Sequence, residues 1–265
     1  MTIPRKSAAC YLGAMFVVAL SAGILAPHDY AGQFRDHIGE PPSSNFLLGT
    51  DDLGRDRFSR LLFAMRVSLV MAPATAALTT VLVAVIGLLS GWRGGWFGEG
   101  IMVLSDLLLS LPLLFLVLTL RALLPLNVSP EISVAALPLV LAAVGWPTGA
   151  RVIRAVVSNL RSSPSVLQAR AYGSGMPRLF AIQILPNLRS PLSAQFWILV
   201  PAFLTAEANL GILGLGVSEP IPSLGNLLAE LRDYQRIPEE PWILIPAVFL
   251  VLLLTALHAA VSGGE

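Results

Sequence analysis

Six apolar runs set the limits on what this chain can fold into: Ala8 to Ala26, Val67 to Ser90, Gly100 to Leu124, Ile132 to Trp146, Phe196 to Val217 and Trp242 to Ala260. A hydrocarbon core of ~30 Å needs about 20 helical residues at ~1.5 Å each. Inside it the backbone has no water to bond, so such runs fold as helices unless strands close into a barrel, and no alternating pattern recurs here. The expected fold class is an all-α integral membrane protein with six transmembrane helices. It is read as a single transmembrane domain over 1–265, with a first span, loop and amphipathic segment in 1–66 and a five-span core in 67–261.

Composition enters at this point. Charged residues make up 12% of the chain, against about 25% in soluble domains, and mean hydropathy is +0.75. Arg5-Lys6 ahead of the first run would suit a secretory signal, but the run is long for a signal core and further spans follow, so it is read as a retained span. The single cysteine, Cys10, excludes an intrachain disulfide. The single lysine, Lys6, excludes a G-x-x-x-x-G-K-[ST] phosphate loop. Any ATP chemistry therefore belongs to another chain.

Between the first two runs lies Leu48-Gly49-Thr50-Asp51-Asp52-Leu53-Gly54-Arg55-Asp56-Arg57-Phe58-Ser59-Arg60-Leu61-Leu62. Asp51 or Asp52 suits the cap of a short helix, whose apolar residues at helical spacing would rest on the membrane surface. Three aspartates so close together invite a cation, but arginines are interleaved and no histidine is adjacent, so no metal site is expected. Between the last two runs, Ser218 to Pro241 is polar and acidic.

Arg151 to Pro191 is the most distinctive polar stretch, with six arginines and no Asp or Glu. Such a basic connection between spans points to the cytoplasmic side, although the Lys and Arg totals on the two sides are nearly equal. Both termini are placed on that side. Within the stretch, Pro164 suits the first turn of a short helix. Gly173 and Gly175 suit its end or a turn through positive φ. Met176 and Leu185 each precede a proline and are biased away from helix. The expected path is helix, sharp turn, second helical piece, then re-entry into the membrane. Contact with anionic headgroups is a further role for the arginines, worth ~1 kcal/mol each.

Two carboxylates fall inside expected spans, Asp106 in the third and Glu207 in the fifth. An intramembrane carboxylate is a candidate for the translocation path by default, and a hydrogen bond to a neighbouring helix is its structural alternative.

Leu48 to Asp56, with Gly49, Thr50, Asp51, Asp52, Gly54, Arg55 and Asp56 as its key positions, resembles the N-terminal signature of the C-type permease subunit of dipeptide, oligopeptide and nickel ABC importers. Leu204-Thr205-Ala206-Glu207-Ala208-Asn209-Leu210-Gly211-Ile212-Leu213-Gly214-Leu215-Gly216 resembles that family's fifth-helix motif. Pro220-Ile221-Pro222-Ser223-Leu224-Gly225 with Arg232-Asp233-Tyr234 resembles the loop after it. The basic stretch resembles the family's cytoplasmic coupling motif, carried over onto Leu167, Gln168, Ala169, Arg170, Gly173, Leu185, Pro186 and Asn187. The resemblance covers roughly 45–260.

The resemblance implies a type I importer permease fold and a non-catalytic subunit of the bacterial inner membrane. Its implied partners are a second permease chain, two ATPase chains or one fused ATPase, an extracytoplasmic binding protein and the lipid bilayer. It implies no cofactor in this chain, ATP and Mg²⁺ being held by the ATPases, and no nucleic acid. The sequence departs from the pattern at Leu167, where the family has glutamate, at Gln168, where it has alanine, and at Gln183, where it has histidine. A shape-based rather than charge-based docking surface is expected. Two other readings are weaker. A secondary transporter would carry inverted repeats, which are not visible. An intramembrane serine protease built on Ser218 and His258 lacks any G-x-S-x-G context.

Overall fold

The structure, a computed structural model, describes residues 5–122 and 129–262. Among them the regular elements are helical, and an isolated β-bridge joins Thr50 to Asp56. In chain order the helices are α1 (Arg5–Leu20), α2 (Ala22–Leu25), α3 (Arg57–Arg93), α4 (Gly95–Ser110), α5 (Leu113–Ala122), α6 (Pro130–Gly145), α7 (Pro147–Arg161), α8 (Pro164–Ala171), α9 (Met176–Leu179), α10 (Leu185–Ile212), α11 (Leu224–Leu228) and α12 (Ile245–Ser262). A π-helical turn, Phe180–Ile184, connects α9 to α10.

Several elements differ from expectation. No separate surface helix precedes the second span: α3 runs unbroken for 37 residues from Arg57, about 55 Å at ~1.5 Å per residue. Its N-terminus is capped by Asp56, not by Asp51 or Asp52. The Asp56 carboxylate accepts from the amides of Phe58 at 3.3 Å and Ser59 at 3.1 Å. The third expected span breaks at Leu111–Pro112 into α4 and α5, and its last residues, Leu123 and Leu124, lie outside the described residues. The fourth bends by 50° from α6 into α7, so Arg151, Arg154 and Arg161 ride on a helix rather than a loop. Pro147 restarts that helix at a position where a missing amide hydrogen costs nothing. By length and apolarity two helical segments qualify as spans, α3 and Pro241–Val261, or four if each bent pair counts as one. The expected six also include α1, a shorter apolar helix, and α10, which does not meet the same criterion.

The fifth expected span ends early. Leu215 donates its N–H to the Leu210 carbonyl at 2.8 Å and Gly214 to the Gly211 carbonyl at 2.9 Å. This paired closure needs a left-handed residue, which Gly214 supplies at φ 77°.

Two compact units are present. The first holds residues 1–73, 126–137 and 201–265. Within it α1 packs along α12, and α1 buries the small residues Ala8 and Ala19, which let helices approach closely. The second holds 74–125 and 138–200. There α7 lies against α4 and against the C-terminal half of α3, at Gly87 and Gly91. A Cβ on Gly87 would sit 2.6 Å from Ile153, and one on Gly91 would sit 2.9 Å from Val157. This G-x-x-x-G spacing brings two backbones together where lipid supplies no hydrophobic drive. The unit boundaries on α3, α6 and α10 fall at Pro73, Pro138 and Pro201, positions where a helix lacks one backbone bond.

Candidate functional site

The basic stretch folds as the sequence predicts in its central part. Pro164 opens α8 at the first turn, and Gly173 follows its end at φ 74°. Val166 is fully buried in the core of the second unit, with Val157, Leu179, Ile184 and Leu188. Removing a valine side chain from water contributes roughly 1.5–3 kcal/mol. Leu167, Gln168 and Arg170 face outward, as do Tyr172 and Met176, while Ala169 is partly buried. Leu185, Pro186 and Asn187 form the exposed first turn of α10, and Asn187 Nδ2 donates to the Gln183 carbonyl at 2.7 Å. The result is a short helix pinned on one side, with an uncharged outer face at Leu167 and Gln168.

Met176 and Leu185 are helical despite the prolines after them, contrary to expectation. At Met176 the proline stands in the first turn of α9, where its lacking donor is harmless. At Leu185 the π-helical turn resolves the conflict. Leu185 donates five residues back, to the Phe180 carbonyl, and the wider turn accommodates the ring of Pro186.

In the first unit the N-terminal signature meets the acidic loop. Asp51 closes the turn, accepting from the amides of Leu53 at 2.9 Å and Arg55 at 2.8 Å, and from Arg55 Nε at 2.7 Å. Gly49 and Gly54 make the corners at φ 70° and 72°. Thr50 accepts the Glu40 N–H at 2.9 Å and donates to the His37 carbonyl. Asp56 is buried beneath His28 and Ser59. The aspartates are thus engaged by amides, hydroxyls and guanidinium groups.

Across the turn, Arg55 donates to Glu219 at 2.6 Å and Arg60 to the same carboxylate at 3.0 Å. Arg57 donates to the Thr50 carbonyl at 2.9 Å, to Glu230, and to Glu240 at 3.2 Å. Arg236 binds Asp52 at 2.8 Å and Glu240 at 2.7 Å. Its hydrogen bonds to Asp52 and then to Glu240 hold its guanidinium pKa well above the usual value. Asp52, Arg55, Arg60, Glu219, Glu230 and Arg236 line an open cleft of about 470 Å³.

Glu207 lies buried beside this network. It accepts from Ser68 Oγ at 2.9 Å and from the Gly225 amide at 3.2 Å, and Ser68 in turn accepts the Leu224 amide at 3.0 Å. A Cβ on Gly211 would collide with the backbone of Gly225. The fifth-helix stretch and the loop after it are therefore one packed object, with Glu207 as its polar centre. Asp106 differs: it is exposed on α4 and pairs with Arg151 of α7, whose Nε also donates to Ser105 Oγ at 3.2 Å. Ser218 donates to Ser133 Oγ at 2.9 Å, and His258 Nδ1 lies 2.8 Å from the Leu254 carbonyl of its own helix.

Residues 83–261 match the family described as binding-protein-dependent transport system inner membrane component. The chain belongs to that family. Among curated relatives, a di/tripeptide transport system permease protein of Pseudomonas aeruginosa is 35% identical over 92% of this chain and 80% of its own length. A dipeptide transport system permease protein of Haemophilus influenzae is 30% identical over 98% and 89%. An oligopeptide transport system permease protein of Mycobacterium tuberculosis is 30% identical over 94% and 84%. The permease is thus a multi-pass inner-membrane subunit that provides translocation rather than catalysis.

Glu219, Glu230 and Glu240 were legible only as acids of a polar loop, not as partners of the signature arginines, and Ser68 was not singled out. Their only signal was opposite charge excess in two distant loops, three arginines at 55–60 against the acids of 218–241.

Proposed function

We propose that this permease is one of two membrane subunits of an ATP-driven importer for dipeptides, oligopeptides or similar small cargo. An extracytoplasmic binding protein delivers the cargo, and two ATPase chains or one fused ATPase supply the energy, holding ATP and Mg²⁺. With no lysine beyond Lys6, this chain has no phosphate loop of the G-x-x-x-x-G-K-[ST] kind. The termini and the segment 151–191 face the cytoplasm, where α8 docks onto an ATPase.

The observation that carries this reading is α8 itself. It is anchored through Val166 and presents Leu167 and Gln168 outward, a shape suited to a groove in a partner. The names of the relatives support peptide cargo.

The test is purification of the intact assembly in mild detergent from cells producing all chains of the system, in a Cys10→Ser background with Leu167→Cys. Co-elution of ATPase chains and a crosslink from position 167 to one of them are expected. A chain that elutes alone, or a crosslink confined to lipid or to a binding protein, would overturn the assignment.

A further inference from the structure

The last turn of α3 carries an aromatic side chain that touches the candidate coupling segment at two points. The guanidinium carbon of Arg170 lies 4.8 Å from the centroid of the Trp92 ring. The ring of Phe180, first residue of the π-helical turn, lies 4.7 Å from it at an interplanar angle of 54°. Arg170 has no acid close in sequence, since residues 151–191 contain none. Its cation is paired with a ring face instead.

The position of Arg170 on its helix gives this contact mechanical meaning. Residues four apart share one face of a helix, so Arg170, though itself exposed, stands on the same side of α8 as the buried Val166 and reaches the Trp92 ring. Val166 alone would leave a helix of eight residues free to rock about a single buried side chain. The Arg170–Trp92 contact adds a second fixed point one turn later. It also leaves Leu167 and Gln168 on the outer face. A planar guanidinium suits this role because it stacks on an indole, whereas an ammonium makes only a point contact.

We propose that Trp92 is a positioning residue for coupling. Its ring clamps Arg170 of α8 and Phe180 of the π-helical turn to the end of α3, so that movement imposed on α8 is passed directly to α3. This rests on the reading of α8 as the ATPase-docking helix.

The experiment uses the complete transporter in proteoliposomes, with labelled dialanine as cargo, and reads ATP hydrolysed per dipeptide imported. W92A is expected to raise that ratio roughly two- to fivefold, the factor set by an exposed cation–π contact, with the KM for dipeptide unchanged. W92F retains a ring face and restores the ratio toward the wild-type value. R170K, on an exposed side chain, should resemble W92A, and the double variant W92A/R170K should be no worse than W92A alone. A second readout does not depend on cargo: the crosslink from Leu167→Cys to the ATPase should lose yield by a similar factor in W92A and recover in W92F.

A wild-type ratio and crosslink yield in W92A, or effects of W92A and R170K that simply add, would overturn the proposal. Should W92A fail to assemble, R170K and W92F carry the same comparison. Failure of the wild-type chain to co-purify with an ATPase is a separate result, and sinks the docking reading instead.

Discussion

Gly225 donates its N–H to Glu207 at 3.2 Å, and a Cβ on Gly225 would stand 2.5 Å from the Glu207 carbonyl oxygen. The carboxylate and the missing side chain are two parts of one fit. Space at Gly225 is what allows α10 and the loop after it to touch backbone to backbone. Gly225→Ala should therefore destabilise the permease by about 1–3 kcal/mol through overpacking. Gly100→Ala, with nothing within 4 Å of its Cβ, should leave the protein unchanged. Thermal unfolding of both variants in the same detergent checks this, and equal melting would contradict it.

Glu207 itself acts here as an acceptor for Ser68 and Gly225. Glu207→Gln keeps one acceptor oxygen, and its amide can donate to the Ser68 hydroxyl, so uptake and stability should stay near wild type. Glu207→Leu strands two buried donors, at about 1–3 kcal/mol each, and should lower yield and melting together. Uptake lost in Glu207→Gln at unchanged melting would instead assign this carboxylate to the translocation path.

Arg57 faces two carboxylates at once, Glu230 and Glu240. Arg57→Met leaves Glu230 without its cation and Glu240 with Arg236 alone, and since the pair is partly buried the loss should approach the lower end of the roughly 3–5 kcal/mol for breaking a buried pair from one side. Arg57→Lys should recover little, because one ammonium cannot reproduce the fork that also donates to the Thr50 carbonyl. Denaturant unfolding of the two variants tests the claim. A lysine variant as stable as the parent would refute it.

Gly173 has open space around it and φ 74°, so its constraint is conformational rather than steric. A β-branched residue there pays roughly 1–2 kcal/mol for left-handed backbone. Gly173→Val should raise ATP consumption per transported peptide, whereas Gly173→Asn should remain close to wild type. The ATP-to-peptide ratio in proteoliposomes separates the two outcomes.

Much of the coupling segment was legible in sequence because proline and glycine act locally: Pro164 and Gly173 do what their backbones dictate. The entry into α3 was not. Arg57 and Arg60 looked like the polar side of a surface helix, since the acids that hold them are more than 150 residues away. Gly211, Gly214 and Gly216 lie in the fifth expected span, where small residues suit close helix packing. In the structure Gly214 ends the helix, and Gly211 packs against a loop. Spacing reveals periodicity, but the partner of a small residue is set by tertiary contacts. The continuity of α10 through Pro186 was hidden for a different reason: a π-helical turn absorbs the conflict, and no residue type announces one.

The pairing of Arg57 with Glu230 spans 173 residues. At ~5–20 residues per second of synthesis, the acid leaves the ribosome roughly 10–35 s after the arginine. For most of that interval, until Glu219 emerges, the head of α3 carries Arg55, Arg57 and Arg60 with Asp51 as a near acid and none of the three glutamates. The first helices can be inserted, but the first unit cannot close until the last loop emerges. The segment carrying Glu219, Glu230 and Glu240 is thus the latch that closes the signature arginines into the first unit.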